Sequence, residues 1–100
     1  MRFSKQEFLS LAGLGHETLS AWIEEEWLVP SDSSVDISFS DIDVARARFI
    51  RELKTDLGVN DEGVGVILRL VDQLHGMRRA MKELRELEHL RIRLSSESTE

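Results

Sequence analysis

"WIEEEWLVP", residues 22–30, places three consecutive glutamates between two tryptophans and then runs into an extended Leu28-Val29-Pro30 exit. Leu19, Trp22, Ile23 and Trp27 recur at helical spacing, so the stretch reads as the end of an amphipathic helix whose other side carries Glu17, Ala21, Glu24 and Glu25. A helix that enters a DNA groove presents arginines and lysines to the phosphates, and glutamates are repelled there. The fold and the charge of this stretch therefore point in different directions.

Working back from Trp22, Gly13-Leu14-Gly15 breaks the chain, and Phe3-Ser4-Lys5-Gln6-Glu7-Phe8 supplies a helix start. Ser4 and Glu7 have the spacing of a capping box, and Phe3 and Phe8 that of a hydrophobic staple. The first helix is expected from about Lys5, with Phe8, Leu11 and Ala12 inward, and the second from about His16. Two short helices joined by a glycine-containing turn make a helix-turn-helix. Working forward, Ser31-Asp32-Ser33-Ser34 is a turn flanked by Trp27-Leu28-Val29 and by the alternating Val35-Asp36-Ile37-Ser38-Phe39, which predicts a small hairpin. Ser40 with Asp43 opens a third helix, lined by Ile42, Ala45, Phe49 and Leu53 and ending near Leu57-Gly58.

Asn60 begins the last element, which is proline-free from Asp61 to about Leu94. Ile67, Leu70, Leu74, Met77, Met81 and Leu84 alternate in steps of three and four, the spacing of a coiled-coil seam. Beyond Leu84 the steps through Leu87, Leu90 and Leu94 become three, three and four, as a stammer would make them. A helix this long has little of its own chain to bury against, so a second copy is the expected partner. The expected organisation is a winged helix-turn-helix domain over residues 1–58, a long helix over 59–94 for antiparallel or coiled-coil dimerisation, and a flexible tail over 95–100. The class is all-α with a small β-hairpin wing.

The net charge of −6 sits in the first half: residues 1–45 hold two basic side chains against nine acidic, residues 46–100 eleven against ten. That sign opposes nucleic acid and favours a basic partner. With no cysteine there is neither a disulfide nor a thiolate metal site. His16, His75 and His89 stand apart from any ligand pattern, so no metal and no cofactor is expected. Nothing pairs a nucleophile with a base or forms a phosphate loop, which argues against an enzyme. The polar N-terminus lacks a signal-peptide core, and no apolar run nears a membrane span of about 18 residues. A cytoplasmic location without membrane attachment is expected.

In order and interval, "SKQEFLSLAGLGHETLSAWIEEEWLVP", "FSDIDVARARFIRELKTDLGV" and "GVGVILRLVDQL" resemble the MerR-type winged-helix module followed by its dimerisation helix. Within that group the chain is most similar to the chaperone modulators of the CbpM family. The resemblance carries through Glu7-Phe8, Leu28-Val29-Pro30, Phe39-Ser40-Asp41, Asp56-Leu57-Gly58-Val59 and Ile67-Leu68-Arg69-Leu70-Val71-Asp72. It implies a homodimer that binds the J-domain of a CbpA/DnaJ-like co-chaperone and inhibits its coupling to DnaK, a J-domain engaging DnaK through a basic helix. The DNA-reading members carry basic residues on the second helix and an arginine-tyrosine pair in the wing. Here there are glutamates, and there is no tyrosine. A transcription regulator with atypical DNA binding is the alternative. Chosen by charge and expected exposure, the partner-binding candidates are Glu17, Glu24 and Glu25 on the second helix with Asp36, Asp41 and Asp43 beside it. The dimerisation candidates are Ile67, Leu70, Leu74, Met77, Met81 and Leu84.

Each feature also has a plainer reading. The glutamates suit a solvated helix end, Glu26 a local cap or pair, and Trp22 and Trp27 the core. Met77 and Met81 at seam spacing suit a dimer core. Arg46, Arg48, Arg51 and Lys54 make a basic face on the third helix, the best feature for nucleic acid, although they equally suit acidic groups of a neighbouring subunit.

Overall fold

A computed structural model describes residues 1–32 and 36–97. Ser33, Ser34 and Val35 of the expected hairpin, and residues 98–100 of the expected tail, lie outside the described residues. The chain divides into two compact units, Met1–Gly65 and Val66–Glu100.

The first unit begins with strand β1 (Arg2–Phe3), helix α1 (Lys5–Ala12) and helix α2 (His16–Glu24). Strands β2 (Ser31–Asp32) and β3 (Ile37–Ser40) and helix α3 (Asp41–Thr55) follow. Helix α4 (Asp61–Glu97) starts in this unit and makes up most of the second. The mostly helical winged helix-turn-helix is thus present, and its wing is richer than expected. β3 is the central strand of a three-stranded antiparallel sheet in the order β1-β3-β2. Phe3 pairs with Phe39 on one side and Ser31 with Ser38 on the other. Two residues of β1 leave no alternation to read, and Trp27-Leu28-Val29 forms no strand.

The local start signals are realised. Ser4 Oγ accepts from the Glu7 amide at 3.2 Å while Glu7 Oε1 accepts from the Ser4 amide at 2.9 Å. Ser40 and Asp43 repeat the box on α3, at 3.2 and 2.8 Å. On α4, Asn60 Oδ1 accepts from the Gly63 amide at 2.7 Å. Each box satisfies amides that a helix start otherwise leaves unpaired.

The core centres on Phe8 of α1 and Phe39 of β3, fully buried and stacked with ring centroids 4.1 Å apart. Burying each ring contributes about 1.5–3 kcal/mol, and the stacked pair adds roughly 1 kcal/mol. Leu19, Trp22, Trp27, Leu28, Ile50 and Val64 complete the buried set with their neighbours. Two expected faces differ. On α1, Leu9 is buried and Leu11 exposed. On α3 the buried residues are Val44, Ala47, Ile50 and Leu53, while Ile42 is 77% exposed. Steps of three turn the buried direction by about 60° each, so the stripe sweeps around a helix that both α1 and β3 pack against. A single-face pattern misses that.

Trp27 belongs to no helix, because α2 ends at Glu24 and Glu26 takes a left-handed φ of 63°. The Trp27 amide then donates back to the Trp22 carbonyl at 2.9 Å, which folds Trp27 under α2 against Trp22. Gly13 and Gly58 end α1 and α3 with the same backbone sign. At Glu26 a side chain sits where glycine avoids a Cβ clash. Glu26→Gly should therefore raise stability by about 0.5–1 kcal/mol after the entropic loss of glycine, seen as a rise of roughly 2–6 °C in Tm.

The capping hydrogen bonds from Ser4, backbone first and hydroxyl second, hold the Glu7 carboxyl below its ordinary value. A lowered folded pKa means the contribution is present above the ordinary value of 4.5 and is lost as pH falls through the folded one. Glu7→Gln should thus lower Tm at pH 7, with the gap to the parent chain closing as thermal melts are taken below pH 4.5.

Candidate functional site

The expected basic face of α3 is turned to structural use. Arg48 donates to the Leu11 carbonyl at 2.9 and 3.2 Å, and Arg51 to the Ala12 carbonyl at 3.0 Å. These are among the last carbonyls of α1, which lack partners within the helix, and α1 has no basic residue of its own in its last turn. The guanidiniums also sit at the negative end of the α1 dipole, where cations are favoured. Arg46 Nε donates to the Trp27 carbonyl just beyond α2. Lys54 pairs with Asp61 and lies 5.6 Å from the centre of the Trp27 ring, a cation–π contact.

Arg51 passes close to Gly13. A Cβ there would lie 2.3 Å from Arg51 Nη1, and its φ of 70° is left-handed.

The six acidic candidates divide. Glu17 and Glu25 line one open cleft with Thr18, Ala21, Trp22, Trp27, Lys54 and Asp61. Glu24, the last residue of α2, is exposed beside Glu25, which caps that helix. Asp36, Asp41 and Asp43 lie toward the other end of α3, since thirteen residues separate Asp41 from Lys54, about 20 Å along the axis. Asp43 is the reciprocal cap of Ser40, and Asp41 lies 3.5 Å from the N-terminal ammonium. These two already have partners within the chain. Asp36 is exposed. Asp61 joins the cleft from a position 36 residues beyond Glu25, and only the fold brings it there.

Among the described residues no group of three or more histidine, cysteine, aspartate or glutamate side chains is placed to hold a metal ion. No described helix is long and apolar enough to cross a membrane. The dimerisation candidates lie along α4, where Leu70, Leu74, Met77, Met81 and Leu84 are exposed and Ile67 is half-buried.

A winged helix-turn-helix whose second helix shows carboxylates outward, and whose α3 arginines are tied to backbone carbonyls, defines a regulator-type module with an acidic face. The chain matches the family described as MerR HTH family regulatory protein over residues 3–86, and it belongs to that family. Neither a curated protein nor a solved structure matches it.

The arginine–carbonyl contacts set a stability test. Gly13→Ala combines a left-handed backbone with displacement of Arg51 and should lower the unfolding free energy by roughly 2 kcal/mol in urea titrations. Arg51→Met should remove the steric part, so that Gly13→Ala costs less in that background.

Proposed function

We propose that the chain is a non-enzymatic chaperone modulator. It binds the J-domain of a CbpA/DnaJ-like co-chaperone, as CbpM-family proteins do, and blocks productive coupling to DnaK. The observation that carries this reading is the charge arrangement on the helix-turn-helix. Glu17, Glu24 and Glu25 are exposed on α2, while Arg46, Arg48 and Arg51 donate to backbone carbonyls. A phosphate backbone approaching α2 meets carboxylates, losing counterion-releasing contacts and gaining repulsion. A basic helix approaching the same face is attracted.

Such a field acts mainly on the encounter rate, and desolvated anchors set the lifetime of the complex. The exposed apolar line of α4 gives the module a second surface, which we assign to a homodimer. A MerR-type transcription regulator shares the fold, but on the helix expected to read DNA the charge has the wrong sign.

Titration calorimetry against the J-domain of a CbpA-like co-chaperone tests the reading. Micromolar or tighter binding that weakens with salt is expected. Glu24→Lys with Glu25→Lys should lower the low-salt association rate about tenfold and flatten its salt dependence. Absent J-domain binding, with a shift of promoter DNA in parallel samples, would return the chain to transcription regulation.

A further inference from the structure

Three carboxylates and two indole rings surround one ammonium in the cleft beside α2. Glu17 and Glu25 each lie four residues, about 6 Å along the axis, from Ala21, the small residue between them. Asp61 joins them from the first turn of α4, and Trp22 and Trp27 form the apolar part. All of these residues belong to the unit Met1–Gly65. The volume of about 340 Å³ is at the small end of the roughly 300–1,000 Å³ of ligand pockets, which suits one long side chain rather than a helix.

A cation is already seated there. Lys54 Nζ pairs with Asp61 and lies 5.6 Å from the centre of the Trp27 ring. One ammonium leaves two of the three carboxylates uncompensated. Among the described residues no ion pair or hydrogen bond engages the side chain of Glu17 or Glu25.

The rings supply an independent observation. Trp27 is 6% exposed, yet its indole N–H donates to no described residue, whereas an indole N–H so placed usually finds an acceptor. No buried side-chain polar atom among the described residues lacks a partner, so this N–H meets solvent, and the cleft is the opening that the ring lines. Nε1 lies 3.9 Å from where a Cβ on Gly65 would stand, so the glycine leaves that edge uncovered.

We propose that the cleft anchors one arginine side chain of a basic protein segment. The stem lies against Ala21 and Trp22, the guanidinium sits in the field of Glu17 and Glu25, and Trp27 Nε1 donates to an acceptor on the same segment. Arginine fits better than lysine because its planar head stacks on aromatic rings and carries several donors, while the ammonium position at Asp61 is held by Lys54. This deepens the reading of a basic partner and rests on it for the source of the arginine.

Both tryptophans of the chain line the cleft, so intrinsic fluorescence reads its occupancy. Titrating the full chain with a blocked hexa-arginine peptide should shift the emission saturably, and the uncharged hexa-citrulline peptide should not. Glu17→Gln with Glu25→Gln should weaken hexa-arginine binding about fivefold, as the loss of two partly exposed ion pairs would. Glu83→Gln with Glu86→Gln, the same loss of charge at exposed positions of α4, should change it by less than about twofold. Lys54→Met keeps an apolar stem beside Trp27 and frees Asp61, so it should tighten binding about threefold, a test that stands if the double glutamine variant loses its helices. Equal weakening by the α4 variant, an equal response to citrulline, or weaker binding by Lys54→Met would overturn the site. Saturable hexa-arginine binding without J-domain binding would leave the site standing and remove the co-chaperone reading. J-domain binding indifferent to Glu17→Gln with Glu25→Gln would do the reverse.

Discussion

Three guanidinium groups hold the helix-turn-helix in place. Arg48 and Arg51 reach from α3 to the last carbonyls of α1, and Arg46 to the carbonyl of Trp27. A short helix has few internal hydrogen bonds and leaves its end groups open, so α1, at eight residues, needs external partners. A guanidinium serves because its fixed charge is favoured at a helix C-terminus and its planar donors meet a carbonyl without burying an unpaired group. Gly13 takes a left-handed φ of 70°, and a Cβ there would displace the end of the Arg51 side chain, so the turn between α1 and α2 favours glycine mainly through its backbone.

What could be read from the chain alone divides by sequence range. Capping boxes at Ser4 and Ser40 involve residues three apart, and both form, while the apolar residues of α4 three and four apart are exposed except for the half-buried Ile67. The destination of Arg48 and Arg51 depends on partners 37 and 39 residues away, and no periodicity carries that information. β1 was invisible because two residues cannot alternate. The left-handed Glu26 was hidden for a different reason: its residue type argues against the conformation, and the buried Trp27 beyond it overrides that preference. Three and four residues apart also describe a helix packed on one side, and α3 is packed on two.

The candidate site shows the same division. Exposure of Glu17, Glu24 and Glu25 follows from the apolar stripe opposite them, which sequence spacing gives directly. Asp43 looked equivalent by charge, yet its carboxylate accepts from the Ser40 amide and is half-buried. Charge counts do not separate a carboxylate facing solvent from one that closes a helix start. Asp61 is the converse case, a cap-region acid of α4 that the fold carries to the cleft and ties to Lys54.

These constraints explain how a module of DNA-reader shape holds an acidic second helix. The Phe8–Phe39 stack, the capping boxes, the left-handed turns and the α3 arginines hold the fold through core rings, helix ends and backbone carbonyls. None uses the outward side chains of α2. Exposed substitutions away from such features usually change stability by within about 0.5 kcal/mol, so the sign of that face can reverse while the fold stays intact. The basic residues of α3 cannot be exchanged so freely, because they hold carbonyls. The outward charge of α2 can therefore vary independently of the fold, and function follows the site carried on the fold rather than the fold itself.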